Sequence, residues 1–144
     1  MKYDNLIAEL GKMIGLESLK LTEDEGSSVF FDEDEIIFEY TEGRLLLIAP
    51  LGPVEGNEKL YRDILEANFV GRDSALGSIG INPLYDEYTL SRTFEGDLEY
   101  KEFELSLLLF IRTLRKWKSI LQDGQVPEKF EETPTKVEAI VFPD

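Results

Sequence analysis

Leu45-Leu-Leu-Ile-Ala-Pro-Leu-Gly-Pro-Val-Glu-Gly-Asn57 runs straight into Glu58-Lys-Leu-Tyr-Arg-Asp-Ile-Leu-Glu-Ala-Asn-Phe69. Leu45 to Ala49 is apolar at every position. Successive side chains of a strand point to opposite sides, so this strand is apolar on both faces. Pro50 and Pro53 cannot donate to a ladder and are expected to stop pairing. An amphipathic helix is expected from about 57 to 68, with Leu60, Tyr61, Ile64, Leu65 and Phe69 as its apolar stripe. A strand of this kind beside a Pro-Leu-Gly-Pro turn admits three readings: a catalytic loop, a phosphate cradle, or a sheet that receives a partner.

Upstream, Leu6, Ile7, Leu10, Met13 and Ile14 fall at helical spacing within residues 4–14, with Asp4 as N-cap and Gly15 in the position of a left-handed cap. Val29 to Phe31 and Ile36 to Tyr40 read as strands around a hairpin tip at Asp32-Glu-Asp-Glu35, and Ile36, Phe38 and Tyr40 share one face. With Leu45 to Ala49 they make an antiparallel meander. Downstream, Ala75 to Asn82 alternates as a strand whose two glycines allow close backbone approach. Tyr88 to Phe94 is a fifth strand, and a longer helix spans about 99–121 with Phe103, Leu107, Phe110, Ile111, Leu114 and Trp117 facing inward. Cationic residues between Arg112 and Lys118 suit that helix's C-terminal end. The order α-β-β-β-α-β-β-α defines an α+β two-layer sandwich with an antiparallel sheet. Residues 1–121 form one domain. Residues 122–144 read as an acidic, proline-containing tail expected to be loosely ordered, in which Val137 to Phe142 is apolar enough to dock.

Composition removes most chemistries. The chain has 144 residues, a net charge of −15 and neither Cys nor His. Disulfides, Cys/His zinc sites, thiol catalysis and Ser-His-Asp triads are therefore excluded. So large a negative charge argues against nucleic acid and anionic membrane surfaces as partners. The N-terminus lacks the apolar core of a signal peptide, and Leu105 to Ile111 is broken by Arg112 long before it could span a bilayer. The expectation is a soluble cytoplasmic protein.

No site emerges from the remaining motifs. Gly52 to Lys59 lacks Walker spacing and the Gly-Lys-Ser/Thr ending, and Glu55 opposes an anion. Nine acidic residues and no Lys or Arg lie between Glu23 and Glu42. Asp32-Glu-Asp-Glu lacks the glycine and distal glutamate of a calcium loop, so these acids read as solvated hairpin tips. Paired carboxylates abound in any acidic chain and carry no catalytic signal. The expectation is no catalytic residue, no metal and no cofactor.

The apolar surplus is more informative. A sheet covered by helices on one side alternates apolar with polar. Here Phe30 and Phe31 are adjacent, as are Ile36 and Ile37, so some apolar side chains must leave the helical layer. Burial under the tail, a dimer contact or a bound chain would each account for them.

Several pieces together resemble the Tir chaperone (CesT-like) family, the class I chaperones of bacterial type III secretion. They are Glu9-Leu-Gly-Lys-Met-Ile-Gly-Leu16, Leu45 to Pro53, Leu65-Glu-Ala-Asn-Phe69, Leu76-Gly77, Leu90-Ser-Arg92 and the Trp117-bearing last helix. They span residues 4–121 in order, and the tail beyond Leu121 departs from the pattern. The resemblance implies a homodimer without catalysis or cofactor. It would bind the N-terminal, non-globular segment of a secreted effector in the bacterial cytoplasm, keep it soluble, and help deliver it to the secretion ATPase. The dimer contact is expected on Tyr61, Ile64, Leu65, Leu76, Ile79 and Ile81, an apolar group larger than one small sheet needs and in the region through which the family pairs. The client groove is expected on the first helix and meander, with Ile7, Leu10, Phe30, Ile37 and Leu46 as contacts. Two other readings stay open: a same-fold cytoplasmic adaptor or regulatory binding protein with no secreted client, and an acid-dependent hydrolase.

Overall fold

The computed structural model describes residues 2–123. Three helices, α1 (Asp4–Ile14), α2 (Tyr61–Asn68) and α3 (Tyr100–Asp123), accompany five strands. The strands are β1 (Gly26–Phe31), β2 (Asp34–Thr41), β3 (Arg44–Pro53), β4 (Ser78–Asn82) and β5 (Glu87–Phe94). They form one sheet of order β1-β2-β3-β5-β4, and every pairing is antiparallel. Of the expected tail, 122–144, Gln122 and Asp123 belong to α3, and the rest lies outside the described residues.

Tight turns set the register of the meander. Glu42 and Gly43 both have positive φ, 51° and 78°, the requirement of a two-residue hairpin turn matched to the twist of its strands. α1 ends at Gly15 in the left-handed conformation, as expected. Its expected N-cap does not hold: Tyr3 occupies the capping position without a side-chain bond, and Asp4 is the first helical residue, where its charge favours the helix dipole. Tyr3 instead is buried and donates its hydroxyl to the Gly96 carbonyl at 2.8 Å, fastening α1 to the end of β5.

β3 does not stop at its prolines. It continues to Pro53, with Pro50 opposite Thr89, Gly52 opposite Tyr88 and Pro53 opposite Glu87. Its ladder to β2 ends at Ile48, so beyond that point β3 has one partner strand and an open side, where proline is tolerated. A register shift between Pro50 and Gly52 absorbs the remaining mismatch. β4 is shorter than its alternation predicts and begins at Ser78. Ala75 and Leu76 lie in the left-handed region, at φ 57° and 60°, and belong to the preceding turn. Of its two glycines, only Gly77 serves close approach. A Cβ there would lie 1.9 Å from the Ser91 carbonyl oxygen, whereas one on Gly80 would meet nothing.

The inward residues of α3 are those its periodicity predicts: Phe103, Leu107, Phe110, Ile111, Leu114 and Trp117 are all buried. Its cations do something else. The helix continues to Asp123, so they do not occupy its last turn. Arg115 Nε and Lys118 Nζ reach across to the two carboxylate oxygens of Asp34, at 2.7 and 2.8 Å, and Arg115 also contacts Asp32 at 3.2 Å. The hairpin tip is therefore not simply solvated, since the Asp34 side chain is only 11% exposed. Both cations are partly buried, so removing their shared anion leaves two poorly hydrated charges. Asp34→Ala is expected to lower stability by about 1–3 kcal/mol in urea titration, while Glu33→Ala at the exposed tip changes it by less than about 0.5 kcal/mol.

Candidate partner-binding surfaces

The strands separate two faces. Val29, Phe31, Ile36, Phe38, Leu45, Leu47, Leu90 and Phe94 point inward and share one core with α1, α2 and α3. The residues between them point the other way. Ser28 stands opposite Ile37, Ile37 opposite Ile48, and Glu39 opposite Leu46, which itself faces Thr93. None of these outward side chains is buried. Ile37, Leu46 and Ile48 are half-buried, and Phe30 on the end strand is 60% exposed. The structure thus brings Phe30, Ile37 and Leu46 onto one sheet face. It does not bring Ile7 and Leu10 there: they are 1% and 0% exposed, inside the core. The exposed apolar residues at this end of α1 are Met13 and Leu16. The helical stripe alone marks Ile7 and Leu10 as core, and that is the role the packing gives them.

The two edges of the sheet differ. A two-residue loop joins Phe31 to Asp34, which makes Phe31, Val29 and Ser27 the residues that exchange bonds with β2. The peptide groups of Ser28 and Phe30 then point outward. Among the described residues no hydrogen bond reaches them. At the opposite edge, Asn68 caps Ile79 of β4. Its side-chain amide donates to the Ile79 carbonyl at 2.9 Å, and its oxygen accepts the Ile79 N–H at 2.8 Å. One side chain at the end of α2 thus takes the place of a strand partner at Ile79, while the Ile81 peptide groups, at the same parity, also point outward.

A second surface lies around α2 and β4. Tyr61 and Leu65, one helical turn apart, are 47% and 70% exposed, Leu76 is 62% and Ile81 is 47%. Ile64 and Ile79, expected with them, are buried within the chain. Phe69 and Val70 join this surface at 64% and 74%, and Leu84 and Tyr85 extend it at the β4–β5 turn. Phe69 is expected on the apolar stripe of the helix. The 3-10 turn at Phe69–Gly71 breaks the helical phase and turns it out. The β-branched Val70 sits at φ 47°, a conformation such residues seldom adopt.

The loop that carries Leu76 is held from behind. Trp117 Nε1 donates to the Asp73 carbonyl at 2.9 Å, and Lys116 pairs with the Asp73 carboxylate at 3.3 Å. Burial pulls the Lys116 pKa below its ordinary value, against the opposing pull of Asp73. Arg92 donates to the Ala75 carbonyl at 3.2 Å and lies 4.6 Å over the Phe94 ring, and burial lowers its pKa too.

Residues 5–118 match the family model of the Tir chaperone protein (CesT) family, and the chain belongs to that family. Among solved structures it is similar to a chain in the crystal structure of the ExsC–ExsE complex, at 25% identity and a TM-score of 0.70, over 81% of this chain and 91% of that one. It also shares its fold with a chain of the HopA1–SchA chaperone–effector complex (18% identity, TM-score 0.60, 80% and 91% covered). A third match is a chain of the heterodimeric ExoU–SpcU complex from the type III secretion system of Pseudomonas aeruginosa (20%, 0.59, 82% and 93%). No curated protein matches the chain. No described helix is long and apolar enough to cross a membrane.

The Asn68 bridge makes a direct prediction. Asn68→Ala removes both bonds to Ile79 and leaves its peptide groups unpaired beside α2. It is expected to cost about 1–3 kcal/mol in urea titration, with the Ile79 amide exchanging faster with solvent while the Leu90 amide changes little.

Proposed function

We propose that this chain is a cytoplasmic type III secretion chaperone that binds the N-terminal, non-globular segment of a secreted effector and keeps it soluble and competent for export. One observation supports this placement of the client: among the described residues the sheet edge at β1 has unpaired outward peptide groups beside an exposed Phe30, while at the β4 edge Asn68 already takes those of Ile79. An extended segment bonds along such an edge and sends alternate side chains onto the sheet face, here toward Phe30, Ile37 and Leu46. On this reading the chain acts by holding rather than by turnover. Family membership over residues 5–118 supports the same reading. Delivery to the secretion ATPase belongs to it as well.

The test is capture from the native bacterium followed by limited proteolysis and mass spectrometry. One dominant partner, protected near its N-terminus, is expected. Regulatory or housekeeping partners alone would make the chain an adaptor of the same fold instead. A Phe30→Asp, Ile37→Asp double variant, with folding and assembly checked first, is expected to lose most of its affinity for that partner. Undiminished binding would put the client on another face.

The α2–β4 surface is proposed as the homodimer contact. Among the described residues, eight of the twelve large exposed apolar ones lie between Tyr61 and Tyr85, a density that scattered surface hydrophobics do not reach. Ile64 is buried in the single chain, so a charge there would test folding rather than pairing. Leu65, at 70% exposed, separates the two. Leu65→Asp is expected to sediment as a folded monomer at micromolar concentration while the parent sediments as a dimer. A monomeric parent overturns the assignment.

A further inference from the structure

The β1 edge has a charge pattern as well as a shape. Glu23, Asp24 and Glu25 are exposed at its Gly26 end, and Glu33 is exposed just past its Phe31 end. No Lys or Arg occurs between Leu21 and Gly43. The two cations that reach this hairpin from α3, Arg115 and Lys118, are engaged with Asp32 and Asp34. The strand between the two acidic ends has six residues and no charge, Gly-Ser-Ser-Val-Phe-Phe. The edge strand is therefore itself uncharged over about 20 Å at ordinary strand rise, with exposed acids at either end and, beside it on β2, Glu35 opposite Phe30 accepting the Ser28 hydroxyl.

We infer that the segment this edge accepts is an extended stretch of alternating apolar and small polar residues, flanked at both ends by Lys or Arg. The inference rests on the proposed chaperone function for its biological meaning and specifies the chemistry of the client. A strand laid along β1 makes its backbone bonds to Ser28 and Phe30. Its apolar side chains lie beside Phe30, and basic residues roughly six to eight positions apart, by the same strand rise, reach Glu25 and Glu33. Acidic flanks would meet like charge at both ends. The ends are exposed, so their effect is screened by salt and acts more on encounter than on residence.

The experiment uses the full chain and two labelled nine-residue peptides of alternating Val and Thr, one ending in Lys at both termini and the other in Glu. The Lys-ended peptide is expected to bind on the order of tenfold tighter at low salt, with the difference shrinking toward parity near about 0.5 M salt. Its binding should slow hydrogen exchange at the Ser28 and Phe30 amides and leave Ile79 unchanged. A Glu25→Lys, Glu33→Lys variant should reverse the preference. Both positions are exposed, and circular dichroism confirms that the variant folds. Equal affinity for the two peptides, a preference that survives the charge reversal, or protection away from β1 overturns the inference. A captured effector whose protected segment has no basic flanks also overturns it, and leaves the chaperone function standing. Retained peptide preference without any secreted client would uphold this edge chemistry and remove the chaperone function.

Discussion

Three helices must cover five strands, and they cover one side. α3 lays Phe103, Leu107, Phe110, Ile111, Leu114 and Trp117 against the inward residues of the sheet, and α1 and α2 fill the same layer at its margins. This burial is the dominant source of stability, since the hydrophobic contribution scales with apolar area removed from water. Its consequence is asymmetry. The inward rows of β2, β3 and β5 are buried, whereas no outward side chain on the opposite face is. Phe30, Ile37, Leu46 and Ile48 are thus apolar residues on the face that the core does not use.

Much of this was legible because periodicity reports burial. The apolar stripe of α3, the left-handed Gly15 and the meander turns follow from local rules that tertiary packing did not override. The unbroken run Leu45 to Ile48 announced a strand with apolar contacts on both sides, and alternate members of it do point to opposite faces. What stayed hidden depended on distant partners. Whether Pro50 ends a strand depends on how far β2 reaches along β3, and β2 stops at Ile48. That Ala75 and Leu76 turn rather than pair depends on Gly77 meeting the backbone of β5. Phe69 reads as inward on a helical wheel because the wheel assumes that the helix continues. Ile7 and Leu10 were assigned to a client although helical spacing on a first helix points to the core. The stripe identified the right residues, and their role was drawn from resemblance.

Charge shows the same division between local and distant information. Nine acids in twenty residues read as a solvated tip, because nothing nearby in sequence could pair them. The cations that do so stand about 80 positions away on α3, where Arg115 and Lys118 enclose Asp34. The pairing ties the free end of the β1–β2 hairpin to the longest helix, so the outermost strand is held even though its outer edge is unpaired. It leaves Glu33, the acids before Gly26 and the β2 glutamates without a cation among the described residues. The negative charge of the hairpin is consequently sorted, with part of it structural and part presented at the two ends of β1.

An exposed strand edge invites unwanted pairing, and natural sheets shorten, charge or cover their edges. This sheet treats its two edges differently. At β4 an Asn side chain occupies the outward peptide groups of Ile79, and α2 lies alongside. At β1 no hydrogen bond reaches the outward groups of Ser28 and Phe30 among the described residues, and acids are exposed at either end. Copies of a chain with net charge −15 repel one another, so edge-to-edge self-association through β1 is disfavoured without filling the edge. The edges are four strand spacings apart, about 19 Å. A second copy seated on α2 and β4, as proposed, would leave β1 open in both subunits. Assembly and client capture would then use opposite ends of one sheet and would not compete. Placing Asn68 on α2, the helix proposed to carry the dimer contact, also couples closure of one edge to the surface that pairs.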